Sequence, residues 1–254
     1  MMLLRWLVRW RWWGFFFALA LAACNSTASS TGSQTAPSGA NAVLADRVIR
    51  YDPATSLGWP SSVDTSKAIG APGGPLDAVP LGFDPLQIAI PPRGSIVLGF
   101  GSAGVRHCVV NRDGVDLVIY STATLTVDSN NVSGTWSQIL TVEVSNDNED
   151  SNWFAFPQIV DSSKPLVDPR RYQRGYAGVT PTVGIGTAAQ GGDAFDLADI
   201  PGLPLDFEAC YIRITDAGML IQDYGSGQPD PLNEGGGIDA VRGIHAIARS
   251  GTMP

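Results

Sequence analysis

Two stretches decide the fold class: Ile139-Leu140-Thr141-Val142-Glu143-Val144-Ser145 and Ala209-Cys210-Tyr211-Ile212-Arg213-Ile214-Thr215. Both set apolar side chains at alternate positions, the period of a strand with one face buried. Working outward, Ser95–Phe100 (SIVLGF), Leu117–Tyr120 (LVIY) and Trp153–Phe156 (WFAF) are strand-like runs, and a last strand is expected over Ala240–Ile247. Between them lie turn-rich stretches such as Gly70–Pro75 (GAPGGP) and Gly225–Gly237 (GSGQPDPLNEGGG). The chain holds 29 Gly and 18 Pro in 254 residues, which suits many short strands joined by turns. No long amphipathic helix is expected, and Ala194–Ala198 has room for one short turn. The expectation is an all-β chain of roughly eight strands, a single sandwich or jelly roll over residues 43–254.

The N-terminus is organised differently. Arg5, Arg9 and Arg11 precede the apolar run Phe15-Phe16-Phe17-Ala18-Leu19-Ala20-Leu21. That run is shorter than the ~20 apolar residues a bilayer span needs, so residues 1–23 read as a signal peptide. It ends in Leu21-Ala22-Ala23-Cys24, which resembles the lipobox of bacterial lipoproteins. The resemblance implies cleavage before Cys24, a thioether from its sulfur to diacylglycerol, and stable membrane anchoring by several acyl chains. Asn25, standing where an Asp favours retention at the inner membrane, implies the outer membrane, facing either the periplasm or the outside. Residues 24–42 then read CNSTASSTGSQTAPSGANA, without charge or large apolar side chains. Such a segment cannot offset its ordering entropy by burial and is expected to be a flexible tether.

The whole chain carries a formal charge of −8; without the three signal-peptide arginines it is −11, from 13 basic and 24 acidic residues. An acidic surface repels phosphate, so a nucleic-acid partner is not expected. With Cys24 consumed by lipid, Cys108 and Cys210 remain; in an oxidising compartment they either pair or stay as two buried thiols.

Four segments carry chemistry: Asp113-Gly114-Val115-Asp116 leading into LVIY; Val142–Asp147 followed by Trp153–Pro157; Gly191-Gly192-Asp193-Ala194-Phe195-Asp196-Leu197-Ala198; and Tyr211–Asp216 with Gly236–Val241 near the end. In this order, over about Gly94 to Ile247, they resemble a group of bacterial cell-surface proteins and lipoproteins with a G-G-D-x-F-D-L-A motif. The second and fourth segments are also similar to signatures of discoidin-like, galactose-binding-type jelly rolls. Three departures stand out. Ser121 replaces a Glu of the pattern, Asp147–Asn152 is longer than its D-G turn, and Gly237-Ile238-Asp239-Ala240 has one acidic residue fewer.

Paired aspartates beside glycines suit Ca²⁺, which takes six to eight oxygen ligands. Asp116, Asp193, Asp196, Asp216 and Asp239 are the candidate ligands; the same residue types serve equally as turn and cap residues. Trp153 is a candidate for stacking on a sugar ring, with Phe154 and Phe156 on the opposite face of the strand. Trp59 and Trp136 have the same standing, and Asp147–Asp150 reads as an exposed hairpin tip.

The motifs G-x-S-x-G, H-E-x-x-H and the P-loop are missing from the sequence, and His107 and His245 are the only histidines. The expectation is a non-enzymatic, lipid-anchored binding or display module, with Ca²⁺ on the aspartates above as its candidate stabiliser, meeting a glycan or another envelope component. A purely structural envelope lipoprotein and a carbohydrate-active hydrolase with two aspartates are the alternatives.

Overall fold

The computed structural model describes residues 42–53, 63–74, 79–80, 94–101, 104–127, 133–149, 151–164, 171–223 and 237–250. These all fall within the unit Ser33–Pro254. The signal peptide, Cys24, Trp59 and all but the last residue of the expected tether lie outside the described residues.

The strands, in chain order, are β1 (Val43–Leu44), β2 (Arg47–Asp52), β3 (Val79–Pro80), β4 (Ser95–Gly99), β5 (Val105–Val110), β6 (Leu117–Ser121), β7 (Thr124–Val127), β8 (Ser133–Ser145), β9 (Phe154–Ala155) and β10 (Ile159–Val160). They continue with β11 (Tyr172–Arg174), β12 (Tyr176–Ala177), β13 (Thr182–Val183), β14 (Gln190–Gly191), β15 (Asp193–Phe195), β16 (Glu208–Ala209), β17 (Tyr211–Asp223), β18 (Gly237–Gly243) and β19 (Ala246–Ser250). Helical structure among the described residues is of the 3₁₀ kind, as in the turns at Thr65–Ala68, Gly186–Ala188 and Leu197–Asp199. No described helix is long and apolar enough to cross a membrane. The fold class is all-β, with antiparallel pairing throughout.

A seven-stranded sheet runs β12-β8-β17-β4-β2, with β7 and β9 also on β8. A five-stranded sheet runs β1-β18-β6-β15, with β3 on β18, and a three-stranded sheet runs β16-β5-β19. The two stretches that set the fold class lie side by side, with Ile212 opposite Val144 and Ile214 opposite Val142. Their alternation works as expected. Leu140, Val142, Val144, Ile212 and Ile214 enter one core cluster together with Ile96 and Leu98 of β4. Leu117 and Ile119 of β6, Ile238 and Val241 of β18, and Phe195 of β15 belong to the same cluster. The opposite phase of β17 and β4, Tyr211 and Val97, packs with Cys108 and Cys210 in a second cluster.

Three expectations are revised. The last strand, read as Ala240–Ile247, is two strands broken at Ile244–His245: β18 pairs with β6, and β19 turns away to pair with β5. The expected count of strands was also too low. Several strands are two-residue pairings within loops, such as Thr182–Val183 with Gln190–Gly191, too short for any hydrophobic period to announce. The expected turn at Ala194–Ala198 is instead the end of β15 followed by the Leu197–Asp199 3₁₀ turn.

Candidate functional site

The aspartates singled out in the sequence are mostly interior. Asp116 and Asp239 are 0% exposed, Asp193 is 6% and Asp216 is 9%. A buried carboxylate is tolerated only with hydrogen-bond donors around it, and the donors reveal its work. Asp239, on β18, accepts from the backbone N–H groups of Gly73 (2.8 Å) and Gly74 (3.0 Å). Asp193, on β15, accepts from Val179 N (3.1 Å) and Thr180 N (2.9 Å). Asp116, just before β6, accepts from Arg112 N (3.1 Å) and Leu197 N (2.9 Å), and His245 Nδ1 lies 2.8 Å from its Oδ1.

Each carboxylate thus holds a different irregular segment against the five-stranded sheet: residues 73–74, 179–180, and 112 with 197. Asp196 does smaller work of the same kind. Its side chain caps the Leu197–Asp199 turn by accepting from Ala198 N at 2.9 Å. Asp216 sits on β17 where the register with β8 shifts, between Asp216 and Met219, and its N–H donates to Gly94 O.

Burial dominates the electrostatics of two of these groups. It pushes the Asp193 carboxyl up to about 6, against the opposing hydrogen bonds from Thr180, Val179 and Gly178. It also raises Asp116, an effect reduced first by the His245 contact and then by the Leu197 and Arg112 N–H groups.

The five aspartates do not meet at one centre. Among the described residues no three of them bring carboxylate oxygens within 4.8 Å of one another, and the one group of potential ligands that does so is Cys108, Glu208 and Cys210. Two members of that group are joined to each other. Cys108 on β5 and Cys210, between β16 and β17, form a disulfide with Cα atoms 4.1 Å apart, tying the three-stranded sheet to the seven-stranded one. Glu208 is engaged by Arg249, whose Nε donates to Oε2 at 2.9 Å and whose Nη2 donates to Oε1.

Trp153 packs against the cluster that contains the disulfide, and the Arg213 guanidinium lies over its ring, 4.3 Å from the centroid. Arg213 in turn makes a two-pronged pair with Glu143, the residue opposite it on β8: Nε to Oε2 at 2.6 Å and Nη2 to Oε1 at 2.7 Å. One face of the indole is therefore taken by a cation of the protein itself. Phe154 and Phe156 lie toward the main core, in ring contact with Phe207 and Phe195 respectively. The side chain of Trp136 lies outside the described residues.

The Asp147 cluster is a turn: Asp147 Oδ1 accepts from Glu149 N and Oδ2 from Asn152 Nδ2. His107 forms an isolated bridge with Phe100. Sequence reasoning missed the Asp116–His245 pair. The two are 129 residues apart, and the one available signal was a lone His at the break between two strand-like runs.

No family model, curated protein or solved structure matches this chain.

Proposed function

We propose that the protein is an exported, lipid-anchored β-domain of a bacterial envelope, built to hold a fixed set of loops out from the membrane as a binding or display surface. The observation that carries this reading is the use of its three cysteines. Two of them form the Cys108–Cys210 disulfide, which suits an oxidising compartment, and the third is Cys24 of the Leu21-Ala22-Ala23-Cys24 signal. Beneath the loops lie carboxylates that fix the backbone, an arrangement suited to presenting a preformed surface. A galactose-binding-like jelly roll is the finer architecture we favour. Its support is that the five- and seven-stranded antiparallel sheets contribute to one shared core cluster.

Calcium is not part of the proposal, because Asp116, Asp193 and Asp239 already receive backbone N–H donors from the segments a cation would be invoked to pin. The ligand class is a glycan or another envelope component. The stacked Arg213 leaves Trp153 serving the body of the domain more than a sugar ring.

The test is metabolic labelling of the full chain with an alkyne fatty acid, followed by mass spectrometry of the N-terminal peptide. The expected result is an acylated, diacylglyceryl-modified peptide beginning at Cys24, with the label lost in Cys24→Ser. An unmodified N-terminus, or label that persists in Cys24→Ser, would overturn the reading.

A further inference from the structure

Cys108 Sγ, Cys210 Sγ and a carboxylate oxygen of Glu208 all lie within 4.8 Å of one another. The sheet brings them together, and not the sulfur–sulfur bond alone. β16 pairs with β5 through Glu208 opposite Val110 and Ala209 opposite Val109; one step further along that register Cys210 faces Cys108. Cys108 is also held from its other side, opposite Ile247 of β19, and the Cys210 N–H donates to Ser145 O at 2.9 Å. None of these backbone contacts involves sulfur, so the two side chains stay face to face when the disulfide is opened.

Opening it changes the chemistry of the position. A thiol reductant cleaves the bond by exchange: two RSH become RSSR, and Cys108 and Cys210 each gain a hydrogen. The two residues are 0% and 1% exposed and pack with Val97 and Tyr211. Thiolates are costly in such surroundings, and a bound cation offsets that cost. Thiolate is a soft ligand, which favours Zn²⁺ and its congeners over Ca²⁺ or Mg²⁺. A tetrahedral Zn²⁺ with sulfur at about 2.3 Å sets its ligand atoms about 3.5–4 Å apart, inside the span these three residues cover.

Glu208 supplies the third ligand and the entry route. Its side chain is 24% exposed, whereas the sulfurs lie inside. Arg249 donates to both of its oxygens. Each carboxylate oxygen has a second lone pair, so the arginine can stay in place and aim the ligand. Two thiolates and one carboxylate around a divalent cation leave one negative charge over, which the Arg249 guanidinium balances.

We propose that Cys108, Cys210 and Glu208 form, in the dithiol protein, a site for a soft divalent cation of the Zn²⁺ class, with Arg249 as its positioning residue, and that the disulfide closes this site. Binding displaces the two thiol protons. A disulfide oxidant runs the exchange the other way. The two thiolates give up two electrons and join as Cys108–Cys210, RSSR takes those electrons and two protons to become two RSH, and the cation leaves. Metal and disulfide are therefore alternative occupants of one position.

The experiment is a Cd²⁺ titration of the full chain carrying Cys24→Ser, which removes the third thiol. The protein is reduced with dithiothreitol and exchanged into oxygen-free buffer. One equivalent of Cd²⁺ is expected to bind with an ultraviolet sulfur-to-cadmium charge-transfer band, to be displaced by Zn²⁺, and to be released by oxidised glutathione. The disulfide form is expected to show no band. Arg249→Met is expected to weaken binding about 10-fold, with Arg249→Lys recovering part of it, and Glu208→Gln about 100-fold. Should these variants fail to fold, X-ray absorption of the Zn²⁺-loaded dithiol protein decides the matter, with two sulfur neighbours and otherwise oxygen expected. Absence of the band in the dithiol protein, undiminished affinity in Glu208→Gln, or a zinc shell lacking the two sulfurs would each overturn the proposal.

Discussion

His245 Nδ1 stands 2.8 Å from Asp116 Oδ1, joining the break between β18 and β19 to the residue that opens β6. The contact belongs to a wider clamp. Asp116 Oδ1 also receives Arg112 N, Oδ2 receives Leu197 N, and the Asp116 backbone oxygen receives Ile244 N at 2.8 Å. Three chain segments therefore converge on one side chain that is 0% exposed. Asp116→Ala strands two backbone donors and leaves a void. It is expected to cost about 2–4 kcal/mol, read as a lower urea midpoint. His245→Ala, which removes a half-exposed partner only, is expected to cost about 1 kcal/mol.

Acid should first strengthen the fold and then weaken it. Asp193 and Asp116 are raised by burial, so the folded state holds their protons more tightly than the unfolded chain does. Their stabilisation is fully present below the unfolded carboxylate range and is lost as pH rises through the folded values. For Asp193 the shift from 3.8 to about 6 corresponds to at most about 3 kcal/mol between pH 4 and pH 7. The opposite sign applies to Asp147, lowered by the Glu149 N–H, to Asp161, lowered by Ser163, and to Glu208, lowered by Arg249. Those contributions disappear as pH falls below about 4. Urea unfolding at stepped pH should show a maximum near pH 4–5 that moves toward neutrality in Asp193→Asn. A wild-type maximum at pH 7 would contradict the assignment.

Cys108 and Cys210 are 102 residues apart in sequence, so their bond closes a long loop in the unfolded chain. Replacing both by Ala is expected to lower stability by about 2–5 kcal/mol, measured by thermal or urea unfolding without reductant. The variant should keep the far-ultraviolet signature of a β protein if the shared core cluster is sufficient to define the fold.

The Glu143–Arg213 pair joins β8 and β17, with the two side chains 23% and 20% exposed. Partial burial and two-pronged geometry place it above ordinary surface ion pairs. A double-mutant cycle with Glu143→Gln and Arg213→Met is expected to give a coupling of about 1–2 kcal/mol. Arg213→Met should also alter Trp153 emission, because the guanidinium over the indole is lost. A coupling near zero would mean that the pair orients Trp153 without stabilising the sheet.

The sequence by itself determined the strand class, the inner and outer faces, and the aspartates worth watching. Alternation over Ile139–Ser145 and Ala209–Thr215 assigned the core side correctly because strand periodicity is local: a residue and its second neighbour share a face whatever the partner strand is. The lengths of β8 and β17, 13 residues each, were not legible, because their outer halves are strands by virtue of pairing with each other and not by any apolar period. The aspartates stood out through their Gly and Asp neighbours, but their roles did not. Asp239 binds Gly73 across 166 residues, Asp116 meets His245 across 129, and Asp193 reaches back to Thr180. A carboxylate that cradles a loop and one that ligates a cation can be written with the same residues. Only the folded chain, by bringing backbone N–H groups to those oxygens, decided which partner each one has.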